Sequence, residues 1–112
     1  MSHGIHLIAD LRAATGLDDP AFIARVLTEA AAQARVTLLE LKLHHFGPAK
    51  GVTGVALLAE SHISIHTWPE HGLAAVDIFV CGPEARPQAA LDHLVTAFDG
   101  QVVQFNRIER LA

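Results

Sequence analysis

Apolar residues along the chain switch between two spacings. From Phe22 they return at Ile23, Val26, Leu27, Ala30, Ala31 and Ala34, the i, i+3, i+4 rhythm of a helix with one buried face. Asp18 or Asp19 can cap its first amides and Pro20 suits its first turn, so a helix is predicted over 19–34. A second is predicted over 86–98, where Leu91, Leu94, Val95 and Phe98 keep the same rhythm. Elsewhere the alternation is strand-like. Thr37, Leu39, Leu41 and Leu43 alternate with Leu38, Glu40, Lys42 and His44, which fits a strand with one buried face. Ala75, Asp77, Phe79 and Cys81 alternate with Val76, Ile78 and Val80 in a strand that Gly82-Pro83 stops.

Gly4–Leu11 and Val102–Arg107 also read as strands. Val52–Ala59 and Ser61–Thr67 read as two strands, or one bent strand, interrupted near Glu60-Ser61. Phe46–Gly51 reads as a loop and Trp68–Gly72 as a turn. Strands in adjacent runs with two helices predict an α+β two-layer sandwich, a mainly antiparallel sheet with both helices on one face.

The 112 residues are expected to form a single domain spanning 1–112, and 51% hydrophobic against 18% charged excludes a disordered segment. A net charge of -4 with no basic stripe argues against nucleic acid and anionic membrane as partners. The longest apolar run, Val55–Ala59, is far short of the ~20 residues a bilayer span needs, and no basic region leads into an apolar signal core near the start. A cytoplasmic location is expected. Cys81 is the only cysteine, so no internal disulfide is possible.

Eight histidines with no tyrosine raise the question of a metal. The possible ligands are His62 with His66, or His44 and His71 with Cys81. On a strand, positions i and i+4 stand ~13 Å apart, too far to share one zinc ion, and no Cys-x-x-Cys pair is present. No metal is expected. His3 and His93 read as surface residues.

Residues 51–82, GVTGVALLAESHISIHTWPEHGLAAVDIFVCG, concentrate Ser, His, Glu, Asp and Cys among strands that need little polarity to fold. The run AESHISIHTWPE followed by AAVDIFVCG closely resembles the prokaryotic S-adenosylmethionine decarboxylase proenzymes, and the weaker match extends from GIHLIADL to the last strand. Members of that family cut their own chain before a serine and convert it to a pyruvoyl group. The resemblance therefore implies cleavage at Glu60-Ser61, giving a β chain of residues 1–60 and an α chain of residues 61–112, with a covalent pyruvoyl cofactor derived from Ser61. It implies His66 as the processing histidine, since an imidazole can both take and give protons near neutral pH. In a continuous strand Ser61 sides with Ile63 and Ile65 while His66 faces the other way, so a bend at Glu60-Ser61 is required for His66 to assist.

Thr53 stands where the family often has a serine helper, eight residues before the cleavage serine. Cys81 aligns with the family's proton donor, and Phe46, Trp68 and Glu70 are candidates for the substrate pocket, the aromatics to stack an adenine and Glu70 to meet a hydroxyl or a cation. The pyruvoyl ketone would form a Schiff base with the substrate amine and act as electron sink. A homodimer of αβ protomers, with active sites near the interface, is implied. Arg12, Ala13 and Ala14 replace the aromatic and cysteine that many relatives carry after HLIADL, and Phe105–Arg110 replaces the family's Arg-Gly tail. Relatives in the superfamily use ornithine or arginine, whose distal cation would call for a carboxylate such as Glu70 or Asp77. Taken singly, Ser61 is an ordinary turn residue, Cys81 a small core residue and Phe46 loop packing. A paralogue that folds without cleaving, and serves as a partner or binding subunit, is the remaining alternative.

Overall fold

The side chain of Asp19 accepts the amide of Phe22 at 3.1 Å and Pro20 opens the helix, so the first helix, α1 (Pro20–Gln33), starts at the cap read from the sequence. Ile23, Val26, Leu27, Ala30 and Ala31 form its buried stripe. Asp19→Ala should lower stability by about 1 kcal/mol in urea unfolding, because it leaves a first-turn amide without its acceptor.

The computed structural model describes residues 3–111. Residues 1, 2 and 112, which the expected domain includes, lie outside the described residues. Around α1 the chain forms β1 (Gly4–Ala13), β2 (Leu38–His45), β3 (Val52–Leu58), β4 (Ser61–Trp68), β5 (Leu73–Cys81), α2 (Pro87–Ala97) and β6 (Gly100–Arg110). A short 3₁₀ turn, Pro69–His71, lies between β4 and β5. The strands form one sheet in the order β2-β3-β4-β5-β1-β6, and every neighbouring pair is antiparallel. Both helices pack against one another and on one face of the sheet, the α+β sandwich expected from the order of elements.

Alternation decides which face each side chain meets. Leu7, Leu11, Ile63, Ile65, Ile78 and Val80 point toward the helices and are buried with Leu91, Leu94 and Phe98. His6, Ile8, Val55, Leu57, His66 and Trp68 lie on the opposite face, which no element among the described residues covers. The bounds of two strands and the buried positions of a third differ from the sequence expectation. The first strand continues to Ala13, and the last runs from Gly100 to Arg110 because it pairs with β1 along that whole length. In β2 a register shift between Leu38 and Glu40 inserts one extra residue, so Leu38 faces Leu58 and Leu39 is 60% exposed. The expected interruption at Glu60-Ser61 is a tight hairpin between two separate strands.

Candidate active site

The β3–β4 hairpin places Leu58 opposite Ser61 and leaves only Ala59 and Glu60 in the turn. Two-residue hairpins normally use residues that adopt positive φ, because those turns match the twist of the strands. Neither Ala59 nor Glu60 has positive φ; instead Ser61 carries a φ of 154°, outside the conformations an L-residue ordinarily takes. The mismatch of the turn is thus carried by the residue that follows it.

The Glu60 carbonyl beside that strained residue accepts a hydrogen bond from the Cys81 amide at 3.2 Å. A backbone N–H aimed at this oxygen can stabilise negative charge developing on it. Cys81 is buried, and its thiol sits over Gly4, its partner in the β1–β5 register. A Cβ at Gly4 would lie 3.0 Å from Cys81 Sγ and 2.7 Å from the Phe79 ring, so glycine is what leaves room for the thiol. Glu60, Ser61 and Cys81 therefore meet at one end of the sheet.

The other candidates meet at the opposite end. Thr53 faces His66 across β3–β4, with its hydroxyl 3.1 Å from His66 Nδ1. Both line a cleft of about 450 Å³ with Phe46, Lys50, Trp68 and Glu70. The seam under the cleft is held by Thr67, the residue between His66 and Trp68. Its buried hydroxyl donates to the Leu17 carbonyl at 2.6 Å and accepts the Val52 amide at 2.8 Å. A Cβ at Gly51 would come within 2.1 Å of the Thr67 carbonyl oxygen, so the loop closes against β4 only through a glycine.

The bend at Glu60-Ser61 does not bring His66 to Ser61. From Ser61 onward β4 stays paired with β3 and β5, so His66 lies about 16 Å along the strand from Ser61. The sequence candidates divide into two half-sites, Glu60-Ser61-Cys81 and Thr53-His66 with the aromatic cleft.

Between the halves lies a cluster that the sequence reading did not assemble. His6 Nε2 hydrogen-bonds Asp77 Oδ1, and His62 Nε2 lies 3.7 Å from the same oxygen. Arg110 donates from Nη1 to His6 Nδ1 at 3.2 Å, which puts the proton of neutral His6 on Nε2 and makes it the donor to Asp77. His6 and Asp77 are 71 positions apart, and only the strand order joins them. Lys50 was also unmarked. Among the described residues no group of three or more His, Cys, Asp or Glu is arranged to hold a metal ion. His93 is no bare surface residue, since its Nε2 is 3.0 Å from Glu29 Oε1 and ties α2 to α1.

The family model described as S-adenosylmethionine decarboxylase matches residues 5–111. The chain belongs to this family. It is 60% identical over 78 residues to an S-adenosylmethionine decarboxylase proenzyme of Synechococcus sp. (strain WH7803), a match covering 70% of this chain and 60% of that relative. The relative from Thermomicrobium roseum is 38% identical over 97% of this chain and 94% of its own length. The crystal structure of the adenosylmethionine decarboxylase from Aquifex aeolicus superposes with a TM-score of 0.81 at 38% identity, covering 97% of this chain and 89% of that one. This family member thus spans about 60% of the length of the cyanobacterial relatives it matches and nearly all of the Thermomicrobium protein.

Proposed function

We propose that this single domain, residues 1–112, is a self-processing, pyruvoyl-dependent decarboxylase of S-adenosylmethionine. The observation that carries the reading is the Glu60-Ser61 junction, where a strained serine follows a carbonyl that already accepts the Cys81 amide. In the first step Ser61 Oγ attacks the Glu60 carbonyl carbon, the Glu60–Ser61 C–N bond breaks, and the hydroxyl proton passes to the freed nitrogen, leaving an ester. Loss of the Ser61 α-proton then expels the Glu60 carboxylate, and water replaces ammonia at residue 61 to leave the pyruvoyl group. That group supplies a carbonyl that condenses with the substrate amine and takes up the electron pair released with carbon dioxide.

Ser61 suits this conversion because it opens a strand. The fragment 1–60 holds β1, β2 and β3, and 61–112 holds β4, β5 and β6, so in the order β2-β3-β4-β5-β1-β6 strand β1 is inserted between β5 and β6. Cleavage leaves two chains interleaved in one sheet. Cys81, whose amide holds the Glu60 carbonyl, supplies in this reading the thiol that protonates the product carbon, and a reduced thiol there suits the cytoplasm.

His66 reaches this centre from a second copy. If two open sheet faces pack ~10 Å apart about a two-fold axis running across the strands near Ser64, the His66 end of each β4 lies over the Ser61 end of the other. The exposed Ile8, Val55, Leu57 and Ile108 on that face favour such a homodimer of αβ protomers. Each site then combines Ser61 and Cys81 of one protomer with Thr53, His66 and the cleft of its partner. In the cleft Phe46 and Trp68 offer faces to an adenine, and Glu70 offers acceptors to ribose hydroxyls.

Mass spectrometry of the purified protein should show chains 1–60 and 61–112, the second with a blocked N-terminus, and Ser61→Ala should remain whole and release no carbon dioxide. Wild-type protein that stays uncleaved after long incubation would sink the reading in favour of a non-cleaving binding subunit. Carbon dioxide release from ornithine or arginine, with none from S-adenosylmethionine, would leave the cleavage and overturn the substrate.

A further inference from the structure

Four hydrogen bonds converge on the turn that presents Ser61. The Glu60 carboxylate accepts the Thr37 amide at 2.9 Å through Oε1 and the Thr37 hydroxyl at 3.3 Å through Oε2. The Ala59 amide donates back to the Thr37 carbonyl at 2.9 Å, and the Cys81 amide holds the Glu60 carbonyl at 3.2 Å. Three of the four involve Thr37, the residue just before β2, which no step of the chemistry uses.

We propose that Thr37 and the Glu60 side chain form a clamp that positions the Glu60 carbonyl for attack by Ser61. An Ala-Glu pair has no intrinsic preference for a two-residue hairpin, and such a turn would relax by widening the loop or turning over its peptides. With both turn residues held by Thr37, it is kept from relaxing in these ways, and the distortion stays at Ser61 with its φ of 154°. The same pin keeps the Glu60 carbonyl on the Cys81 amide, because the side chain and the carbonyl of Glu60 are held from opposite sides, by the segment before β2 and by the end of β5. Thr37 is therefore a positioning residue for self-cleavage and touches none of the reacting atoms. It has no part in decarboxylation, since the strain it maintains is released once the bond is cut.

The inference rests on the self-cleavage reading, and the two are separable by experiment. Cleavage of freshly refolded full-length chain is followed by mass spectrometry well below each variant's unfolding temperature. Glu60→Ala should cleave about tenfold or more slowly than wild type. Glu60→Gln keeps an acceptor for the Thr37 amide and should stay within about threefold of wild type. Thr37→Val, which loses only the hydroxyl, should cleave about threefold more slowly, yet release carbon dioxide at the wild-type rate per cleaved chain. A Glu60→Ala chain that cleaves within about twofold of wild type overturns the clamp, as does Glu60→Gln when it is as slow as Glu60→Ala. Should Glu60→Ala not fold, an unchanged cleavage rate in Thr37→Val overturns the clamp on its own. Failure of the wild-type chain to cleave overturns the self-cleavage reading itself.

Discussion

Chains carrying His66→Ala should regain cleavage when refolded together with chains carrying Ser61→Ala. Within one chain His66 stands about 16 Å along β4 from Ser61, so in the proposed homodimer the His66 that assists cleavage comes from the partner. In a mixed dimer the intact Ser61 belongs to the His66→Ala chain and the intact His66 to the Ser61→Ala chain, and the two meet in one complete site. Loss of a general acid–base group costs about 10²–10⁴-fold, so His66→Ala alone should barely cleave. Random re-pairing puts about half of the His66→Ala chains into mixed dimers, and about half should then cleave at close to the wild-type rate. Mass spectrometry distinguishes the two variants by mass. If the His66→Ala chain cleaves no faster in the mixture than alone, the shared site is wrong, and sedimentation at the mass of one chain at micromolar concentration would contradict it independently.

The largest loss of stability should come from Thr67→Val. Thr67 is the one buried polar side chain among the described residues, and its hydroxyl serves the Leu17 carbonyl and the Val52 amide together. Valine has nearly the same shape but leaves both groups buried without a partner, at about 1–3 kcal/mol each. The midpoint of thermal unfolding should fall by roughly 10 °C or more, while Thr67→Ser, which keeps the hydroxyl, should fall much less. Since Thr67 lies between His66 and Trp68 and closes the Gly51 loop, the same change should also loosen the cleft and raise KM for the proposed substrate, S-adenosylmethionine. A Thr67→Val melting curve coincident with that of wild type would show that water or another group satisfies Leu17 and Val52.

The two helices were legible because their signals are local. The Asp19 cap, Pro20 and the stripe from Ile23 to Ala31 lie within a few turns of one another, and no distant contact overrides them. Alternation likewise set the faces of β4 and β5, where both flanks are paired and the period of two holds throughout. It failed in β2, where one extra residue near Leu39 moved the buried positions, a change that appears only when β2 is set against β3.

The chemistry was legible for a different reason. The spacing of Ser61, His66 and Cys81 carries the family resemblance, and the sequence alone determined that family and the candidate residues. It also exposed a conflict, since alternation sets Ser61 and His66 on opposite faces of a strand. The expected resolution, a bend that joins them, was wrong because β4 is held straight by ladders on both sides. Only the tertiary structure divided the candidates into two half-sites, assembled His6, Asp77, His62 and Arg110 from four strands, and placed Thr37 beside the turn. Each of these depends on strand order and register, which are set by contacts between residues tens of positions apart, whereas helix caps and alternation depend on neighbours along the chain.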